Sequence, residues 1–363
     1  MQNLNFTILN SDKRARAGVL SINDKLINTP TFMPVATKGA IKGLPITYLK
    51  EIDPDVILCN TYHLLLRPGS KTIKDLGGIH KYTSWDKVIL TDSGGFQGWS
   101  LKAKQTKEGL LFKSIYDGSS FLLTPELSIS AQSDFGSDIA MVLDVLIDPN
   151  LDEYDIKNAL DTTIEWAKIS LDRHNNNDQS LFGIIQGGVN NKLREHAIEN
   201  IGKLPFDGYA IGGLSVGETK KDMDRTVSLC TDMLNQDKPR YVMGLGDISG
   251  MLDLIELGVD MFDCVWPTRL ARHGKIINNL KYINLKNNKY EKDSSPLVKG
   301  CTCSTCSNFS RSYLRHLLMN EEVSAWPYLI VHNLFQTKNI LDKAREAILL
   351  NSFEDYKESL KNI

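Results

Sequence analysis

Three cysteines near the end of the chain have the type and spacing of metal ligands. Cys301, Cys303 and Cys306 form a Cys-x-Cys-x-x-Cys motif. Side chains at this spacing point in several directions, so they cannot all belong to a hydrophobic core, and a bound ion is needed to gather them. Thiolates with one imidazole are ligands of structural zinc, which is tetrahedral and leaves no position open for substrate. Free thiols or a redox pair are the alternatives, but the other cysteines occur singly in apolar surroundings.

The fourth ligand is expected to be a histidine, and two candidates lie nearby. His316 lies within a helical pattern, whereas His332 follows an apolar run, Tyr328–Val331, and opens a second helical pattern. A histidine at such a boundary can point away from the core, so we expect His332 to complete a zinc site. For either histidine the alternative is a hydrogen-bonded core residue.

Eight short apolar runs are the predicted elements that position the remaining candidate functional residues. Each is followed by a polar or glycine residue and then by helix-like sequence, which predicts parallel strands joined by helical crossovers. The alternation favours an α/β fold, a (β/α)8 TIM barrel whose strands are buried on both faces; a doubly wound open sheet is the alternative. The runs are Thr31–Val35, Val56–Leu58, Val88–Leu90, Ile139–Leu143, Leu181–Ile185, Tyr209–Ile211, Tyr241–Met243 and Met261–Val265.

Polar residues and glycines stand where these runs end. In a (β/α)8 barrel the carboxyl ends of the strands meet at one mouth, where catalytic residues come from several strands. A single aspartate there can be a helix cap, but three caps are an improbable explanation. Two carboxylates can act as nucleophile and general acid at a glycosidic bond, and a third with an amide can read a purine edge. The residues are Asn60, Asp92, Asp144, Gln186, Gly213 and Gly244, with Asp263 inside the last run.

Composition restricts the class of protein. The chain has 363 residues, of which 42% are hydrophobic and 24% charged, and a net charge of −2. No targeting sequence or membrane-spanning run is visible, so we expect a cytoplasmic protein. Because the whole molecule is not basic, any nucleic acid must bind a local cationic patch. We divide the single domain into an N-terminal hairpin region (1–28), a barrel core (29–275), a small zinc-binding subdomain inserted near the C-terminus (276–335) and C-terminal helices (336–363).

Five motifs together resemble the tRNA-guanine transglycosylase family over nearly the whole chain. They are Thr91–Gln97, Gln186–Gly188, Gly212–Glu218, Met261–Val265 with Pro267–Arg269, and the cysteine cluster with His332. The resemblance implies a zinc-bearing (β/α)8 barrel that exchanges guanine at the wobble position of tRNA for a deazaguanine during queuosine biosynthesis. It implies tRNA partners with G-U-N anticodons (the Asp, Asn, His and Tyr acceptors), one structural Zn²⁺ per chain and, for bacterial members, a homodimer.

Carried onto this chain, the resemblance assigns roles to individual residues. Asp263 would be the nucleophile that forms a covalent RNA ester, and Asp92 would be general acid and then general base. The base would be bound by Asp144, Gln186 and the Gly213 backbone. Phe96 and Met243 would sandwich its ring, with Ser93, Leu214 and Glu218 completing the base site. Thr268, Arg269 and Arg272 would contact the RNA beside the target nucleotide.

Several positions depart from the usual bacterial pattern and bear on the incoming base. Val145-Leu146 and Phe96 are unlike most bacterial members. The stretches Ile184–Gly188 and Thr268–Arg272 look more like eukaryotic members, which accept queuine. Val216 stands where queuine users have glycine, and Glu218 fits recognition of an aminomethyl group. We therefore expect 7-aminomethyl-7-deazaguanine, with queuine as the alternative. The end of the sequence at Ile363 argues against the archaeal type, which carries a further RNA-binding domain.

Two functions of other classes remain as alternatives. A non-catalytic RNA-binding accessory subunit would share the barrel and zinc, but it could discard the acid and the nucleophile. A glycosidase acting on a free sugar would need two carboxylates but not the purine edge of Asp144 and Gln186. The presence of all four residues favours the transglycosylase.

Overall fold

The computed structural model describes residues 4–146 and 151–361 as an α/β barrel. Eight parallel strands are arranged in the order β4-β14-β13-β12-β11-β10-β6-β5. A parallel bridge between Val35 and Leu58 joins the two outer strands, so the sheet closes on itself. The barrel predicted from the eight apolar runs is confirmed, and the open sheet is excluded.

The barrel strands are short and buried on both faces, as parallel strands covered by helices must be. Each corresponds to one of the predicted runs. They are β4 (Thr31–Pro34), β5 (Val56–Cys59), β6 (Val88–Thr91), β10 (Ile139–Met141), β11 (Ser180–Ile185), β12 (Gly208–Ile211), β13 (Arg240–Val242) and β14 (Met261–Cys264).

Helices connect the strands and several begin at a polar cap. Thr124, Asp152, Asn190, Thr219 and Asp247 each accept a backbone hydrogen bond at the start of a helix. The helices up to β14 are α1 (Ile46–Ile52), α2 (Thr61–Leu66), α3 (Ser70–Asp75), α4 (Gly78–Thr83), α5 (Gly95–Ser100), α6 (Pro125–Phe135), α7 (Glu153–Arg173), α8 (Asn191–Asn200), α9 (Lys220–Met233) and α10 (Ile248–Glu256).

A three-stranded antiparallel sheet covers the end of the barrel opposite the mouth. It consists of β1 (Leu4–Asp12), β2 (Ala15–Ile22) and β3 (Lys25–Thr29). The hairpin of β1 and β2 agrees with the sequence analysis, which missed the third strand. Arg16 of this sheet bonds Asp260, the residue before β14, and so holds the sheet against the barrel.

An antiparallel insertion follows α5 near the mouth. It is formed by β7 (Lys104–Gln105), β8 (Leu110–Lys113) and β9 (Ser120–Leu123). The sequence analysis did not predict it, because its strands are short and half-exposed.

The region after β14 contains the cysteines. It includes α11 (Trp266–Arg272), the hairpin β15 (Lys275–Asn278) and β16 (Lys281–Asn284), a 3-10 turn (Asn288–Tyr290), α12 (Ser304–Asn308), α13 (Arg311–Met319), α14 (Ala325–Leu349) and α15 (Phe353–Lys361). The expectation that a helix opens at His332 is wrong: the run Tyr328–Val331 belongs to α14 itself. Pro327 lies in the first turn of that helix, where a missing N–H costs nothing.

The predicted subdomain boundaries stay predictions. Helix α14 runs without a break through the expected division between residues 335 and 336. Residues 1–3, 147–150 and 362–363 of the predicted regions lie outside the described part of the chain. None of the described helices combines the length and the apolar character needed to cross a membrane.

Candidate active site and metal centre

A cavity of about 320 Å³ opens at the carboxyl end of the barrel strands. Asp92, Asp144 and Asp263 all line it, so the structure brings together the three carboxylates predicted from strand ends. None of them is the N-cap of the helix that follows it; those caps are Gly94, Asp152 and Val265. None of the three therefore caps the helix that follows its own strand, although Asp92 accepts the first N–H of α2.

Asp92 is held against the start of α2. Its Oδ1 accepts hydrogen bonds from the backbone N–H of Thr61 at 2.9 Å and of Gly94 at 3.1 Å, and its Oδ2 accepts one from Asn60 Nδ2 at 2.5 Å. Loss of hydration raises the pKa of Asp92 to about 7, although these hydrogen bonds oppose the shift, and the negative charge of Asp263 adds to it. Asp92 can therefore hold or release a proton near neutral pH.

Asp263 lies at the end of β14 and is held through one oxygen. Its Oδ1 accepts hydrogen bonds from Tyr241 Oη at 2.5 Å and from the Gly244 N–H at 2.9 Å. Desolvation raises its pKa above the usual value, against the effect of these two donors. Within the described residues no hydrogen bond is recorded for Oδ2, so one carboxylate oxygen remains available to react while the other is fixed.

Asp144 and Gln186 form a buried polar pair on the cavity wall. Gln186 Nε2 donates to Asp144 Oδ2 at 2.7 Å, and Gln186 Oε1 is buried with no hydrogen-bond partner among the described residues. Burial raises the pKa of Asp144 to about 6. Gly213 has φ +68°, and a Cβ there would lie 2.4 Å from Gln186 Oε1, so only glycine fits beside this amide.

Arg194 of α8 holds the backbone behind this pair and was missed by the sequence analysis. Its fully buried guanidinium donates to the carbonyl oxygens of Gly188 at 2.7 Å, Ile185 at 2.6 Å and Gly212 at 2.8 Å. These three carbonyls flank the ends of β11 and β12. Arg194 therefore positions Gln186 and Gly213 relative to each other.

Two further residues of the site were not predicted as functional. Tyr241, which bonds Asp263, points inward from within β13 rather than following it. Asn60 caps α2 and also donates to Asp92 and to Gln97 Oε1. The sequence analysis placed Asn60 at a strand end but gave it no role, whereas Tyr241 carries no such signal.

The other predicted base-site residues have different positions. Phe96, Met243, Ser93 and Leu214 line the cavity, and Phe96 is 54% exposed at its mouth. Glu218 is not among the cavity-lining residues. Its carboxylate instead accepts hydrogen bonds from the N–H groups of Ser215 at 2.5 Å and Val216 at 3.0 Å, and so braces the loop that follows β12.

The predicted RNA-contact residues lie on α11, directly after Asp263. Arg269 is exposed, and Arg272 is half-buried with Nη1 3.4 Å from the Lys42 carbonyl oxygen. Thr268 is buried and its hydroxyl donates to Val265 O at 3.0 Å. The two arginines are therefore open to a ligand, whereas Thr268 bonds within its own helix.

Cys301, Cys303, Cys306 and His332 form one cluster whose ligand atoms all lie within 4.8 Å of one another. His332 Nδ1 is 3.7, 3.5 and 3.3 Å from the three sulfurs in turn. Tetrahedral zinc with bonds of about 2.3 Å to sulfur and about 2.0 Å to nitrogen would separate these atoms by roughly 3.5 Å. The residues therefore fit a Cys3His metal site.

The surroundings of His332 favour this site over a core histidine. Its Nε2 lies 3.0 Å from Ile277 O, so an N–H there leaves Nδ1 free to bind a metal. Hydrogen bonds from the neighbouring thiols lower the pKa of Cys301, whereas those same contacts raise the pKa of Cys303. A cation would allow all the sulfurs to ionise together. His316 is not in the cluster and lies beside Asn320.

Comparison with known proteins identifies the family. The family model described as Queuine tRNA-ribosyltransferase matches residues 11–362. The chain belongs to the queuine tRNA-ribosyltransferase family. A family member of that name from Thermodesulfovibrio yellowstonii is 45% identical over 359 residues, which are 98% of this chain and 94% of the relative. One from Francisella tularensis subsp. novicida is 43% identical over 362 residues, which are 99% of each.

Membership of the queuine tRNA-ribosyltransferase family confirms the resemblance drawn from the five motifs. It also confirms that the chain is an enzyme of the transferase class. A third relative with this name, from Francisella tularensis subsp. tularensis, is 42% identical over 357 residues, 98% of this chain and 97% of its own length. The similarity therefore extends over the barrel and the cysteine cluster alike.

Proposed function

We propose that this chain is a tRNA-guanine transglycosylase that replaces guanine at the anticodon wobble position with 7-aminomethyl-7-deazaguanine. The observation that carries the proposal is the cavity shared by Asp92, Asp263 and the Asp144–Gln186 pair. A potential nucleophile, a carboxyl group that titrates near neutral pH and a polar edge suited to a purine thus face one another.

In the first displacement, Asp263 attacks the anomeric carbon of the target ribose. Its Oδ2 forms the new ester bond while Tyr241 and Gly244 hold Oδ1, and the bond from ribose to guanine breaks. Protonated Asp92 gives its proton to the departing base. A carboxyl group with a pKa near 7 suits this role, because it is still partly protonated at neutral pH.

In the second displacement, the incoming base attacks the same carbon. Asp92, now ionised, takes a proton from the base, and the ester to Asp263 breaks. Two successive displacements retain the anomeric configuration, which RNA requires. Asp92 is thereby reprotonated for the next cycle.

Base recognition rests on the buried pair. Ionised Asp144 can accept hydrogen bonds from the ring N–H and the exocyclic amine, and Gln186 with the Gly213 N–H can donate to the carbonyl oxygen. Gln186 Nε2 carries two N–H donors, so one can keep its hydrogen bond to Asp144 while the other donates to the base. A base with a mismatched edge leaves these buried groups unpaired, which is costly.

The choice between the aminomethyl base and queuine depends on the loop after β12. Val216 and Leu146 both line the cavity, and extra atoms in a filled pocket cost roughly 1–3 kcal/mol. Val216→Gly should raise the use of queuine relative to the aminomethyl base and change guanine exchange little. Equal insertion of the two bases by the wild-type enzyme would contradict the proposal and favour a queuine salvage function.

We extend the proposal to partners and setting. The RNA substrates are tRNAs with G-U-N anticodons, contacted through Arg269 and Arg272 beside the cavity, and the enzyme acts as a homodimer in the cytoplasm. Light scattering of the purified protein tests the dimer. Exchange assays on the Asp, Asn, His and Tyr tRNAs, with a tRNA of another anticodon as control, test the substrate range.

The metal in the Cys3His cluster is proposed to be one structural Zn²⁺. All four ligand positions are supplied by the protein, so the ion would hold α12 and α14 together rather than touch substrate. Cys303→Ala should lose metal and stability together. Metal analysis should show loss in His332→Ala and a full complement in His316→Ala; the reverse result would mean that His316 is the ligand.

The central experiment follows tRNA that carries labelled guanine at the wobble position. Wild-type enzyme with the aminomethyl base should release label and retain the base in the tRNA. A denaturing gel should capture a covalent complex of protein and RNA when the incoming base is withheld. Absence of release with every deazaguanine and with guanine would overturn the proposed activity.

A further inference from the structure

Two cations meet at one tyrosine beside the mouth of the barrel. Arg67 Cζ lies 4.4 Å and Lys38 Nζ 5.4 Å from the centre of the Tyr116 ring. Both cations are exposed. Over residues 4–146 and 151–361, neither side chain has a recorded hydrogen bond or ion pair with an acidic group. We refer to Lys38, Arg67 and Tyr116 as the cationic cluster.

The tyrosine is held in place by its own backbone. Tyr116 lies in the turn between β8 and β9, where Ser114 Oγ accepts its N–H at 3.2 Å. The Ser114 N–H donates to Ser119 O at 2.8 Å across the same turn. The hairpin packs on α2 through Phe112 and Tyr62, whose ring centres are 4.8 Å apart. The backbone that carries the ring is therefore anchored, and the ring gives Lys38 and Arg67 a common surface to pack on.

The cluster lies next to the active-site cavity. Lys38 follows Thr37, which lines the cavity and accepts the Asn60 N–H at 3.3 Å. Arg67 ends the short helix that Asn60 caps. Strand β14 pairs with β4 on the side away from β5, and the helix after β14 carries Arg269 and Arg272. These two arginines and the cationic cluster therefore form one arc of positive charge around the mouth. The arc thus follows the loops of three neighbouring strands: β14, β4 and β5.

The chemistry of the cluster suits a phosphodiester. Arginine uses the flat face of its guanidinium against an aromatic ring, which leaves its in-plane N–H groups free for anionic oxygens. The ammonium N–H groups of a lysine packed against the ring are likewise free to donate to anionic oxygens. Two neighbouring cations without an acidic partner repel each other, and an anion with several oxygens removes that repulsion.

We propose that the cationic cluster binds a backbone phosphate of the RNA next to the target nucleotide. This inference rests on the proposed function, because the anion is that of the tRNA whose base enters the cavity. It adds to Arg269 and Arg272 a second contact region, on the β4 and β5 side of the mouth. An acidic protein partner is the competing occupant.

The first test compares tRNA affinity at several salt concentrations. In a Lys38→Ala/Arg67→Ala variant, Kd for an unmodified G-U-N tRNA should rise about tenfold, and the slope of log Kd against log salt should fall by about 1 to 2. The effect should appear in KM for tRNA rather than in kcat. Lys203→Ala is the control for Lys38→Ala alone, because each variant removes one exposed lysine and Lys203 lies at the opposite end of the barrel.

The second test locates the phosphate. Single phosphates of an anticodon stem-loop are replaced one at a time by neutral methylphosphonates. One replacement near the target should weaken binding to the wild type but not to the double variant. Tyr116→Phe should bind like the wild type, whereas Tyr116→Ala should weaken binding by less than the double variant does, since the ring supports both cations but carries no charge itself.

Unchanged Kd and salt slope in the double variant would overturn the inference and leave the cluster to an acidic protein. So would an equal loss in Lys203→Ala, or a loss of kcat at unchanged Kd. Base exchange by the wild type is measured separately with labelled guanine. If the wild type binds tRNA but exchanges no base, the proposed function is contradicted. If the wild type exchanges the base but the cluster variants bind tRNA as it does, only this inference is contradicted.

Discussion

Strand β10 has a buried aspartate near each end, and the two have opposite surroundings. Asp138, before the strand, lies 2.8 Å from Lys25 Nζ and 3.0 Å from His80 Nε2. Asp144, beyond the other end of the strand, accepts a hydrogen bond from the neutral side-chain amide of Gln186. Burial alone would raise both pKa values. The hydrogen bonds and charges of His80 and Lys25 outweigh it and lower the pKa of Asp138, whereas the pKa of Asp144 rises to about 6.

The different surroundings of Asp138 and Asp144 indicate that one end of the barrel stabilises the fold and the other end carries the functional groups. At the closed end the carboxylate holds the N-terminal sheet to the barrel, because Lys25 belongs to β3. Among the described residues, the three carboxylates at the mouth form no ion pair, and neutral hydrogen bonds offset only part of their loss of hydration. Groups strained in this way are ready to bind a base or transfer a proton. The predictions below test this division.

The largest effect is expected for Asp263→Asn. An amide cannot form the ester bond, so base exchange should fall by more than about 1,000-fold. tRNA affinity should stay within a few-fold of wild type, because the side-chain volume is unchanged. Labelled-guanine release and a trapped covalent complex are the measurements. Retained turnover would show that another group is the nucleophile.

Asp138→Asn should destabilise the protein by about 2–3 kcal/mol at neutral pH, since charged hydrogen bonds to Lys25 and His80 are lost. Because the folded-state pKa of Asp138 is lowered, its stabilising effect is present above the unfolded-state pKa and is lost as pH falls through the folded-state value. Urea unfolding near pH 7 and near pH 3 measures this. An equal cost at both pH values would contradict the ion-pair explanation.

Asp144→Asn should have the opposite sign and stabilise the protein by about 2 kcal/mol near pH 8. A raised folded-state pKa means that the stability tied to the protonated form is lost as pH rises through about 6, and an amide has no such loss. The gain should shrink toward pH 4, and base exchange should fall. Destabilisation by this substitution at pH 8 would show that burying the ionised Asp144 carboxylate does not lower the stability of the fold.

The smallest effect is a pH dependence of kcat/KM for tRNA. Activity should fall up to tenfold per pH unit below about 6, where Asp144 becomes protonated, and above about 7, where Asp92 loses the proton that it gives to guanine. Asp144→Asn is the control: its residual activity should keep the alkaline limb and lose the acidic one. A flat profile would remove the proton-transfer role of Asp92.

The sequence predicted those parts of the molecule whose signal is local. Apolar runs marked all eight barrel strands, and residues at strand ends marked Asp92, Asp144 and Gln186. Arg194 was missed because a charged residue on an amphipathic helix is normally exposed, and its burial depends on three carbonyls that only the fold brings together. Tyr241 was missed because an inward tyrosine within a strand looks like core.

Elements stabilised by distant contacts were also missed. Strand β3 pairs with β2 and reaches the barrel through Lys25, whose partner is more than a hundred residues away. The hairpin of β8 and β9 has little apolar periodicity of its own and depends on Phe112 against α2. In both cases the element is stabilised by contacts between residues that are far apart in sequence.

Helix α14 links the Cys3His cluster to the helix that carries Arg269 and Arg272. Asn333 follows the ligand His332 in α14, and its side chain donates to Pro267 O at 2.9 Å and Lys275 O at 3.0 Å while accepting the Ile277 N–H at 2.9 Å. Pro267 belongs to α11, which carries Arg269 and Arg272. If the proposed zinc site and tRNA contacts are as described, loss of the metal would loosen α14 and with it the helix that carries Arg269 and Arg272, so protein stability and tRNA binding would fall together.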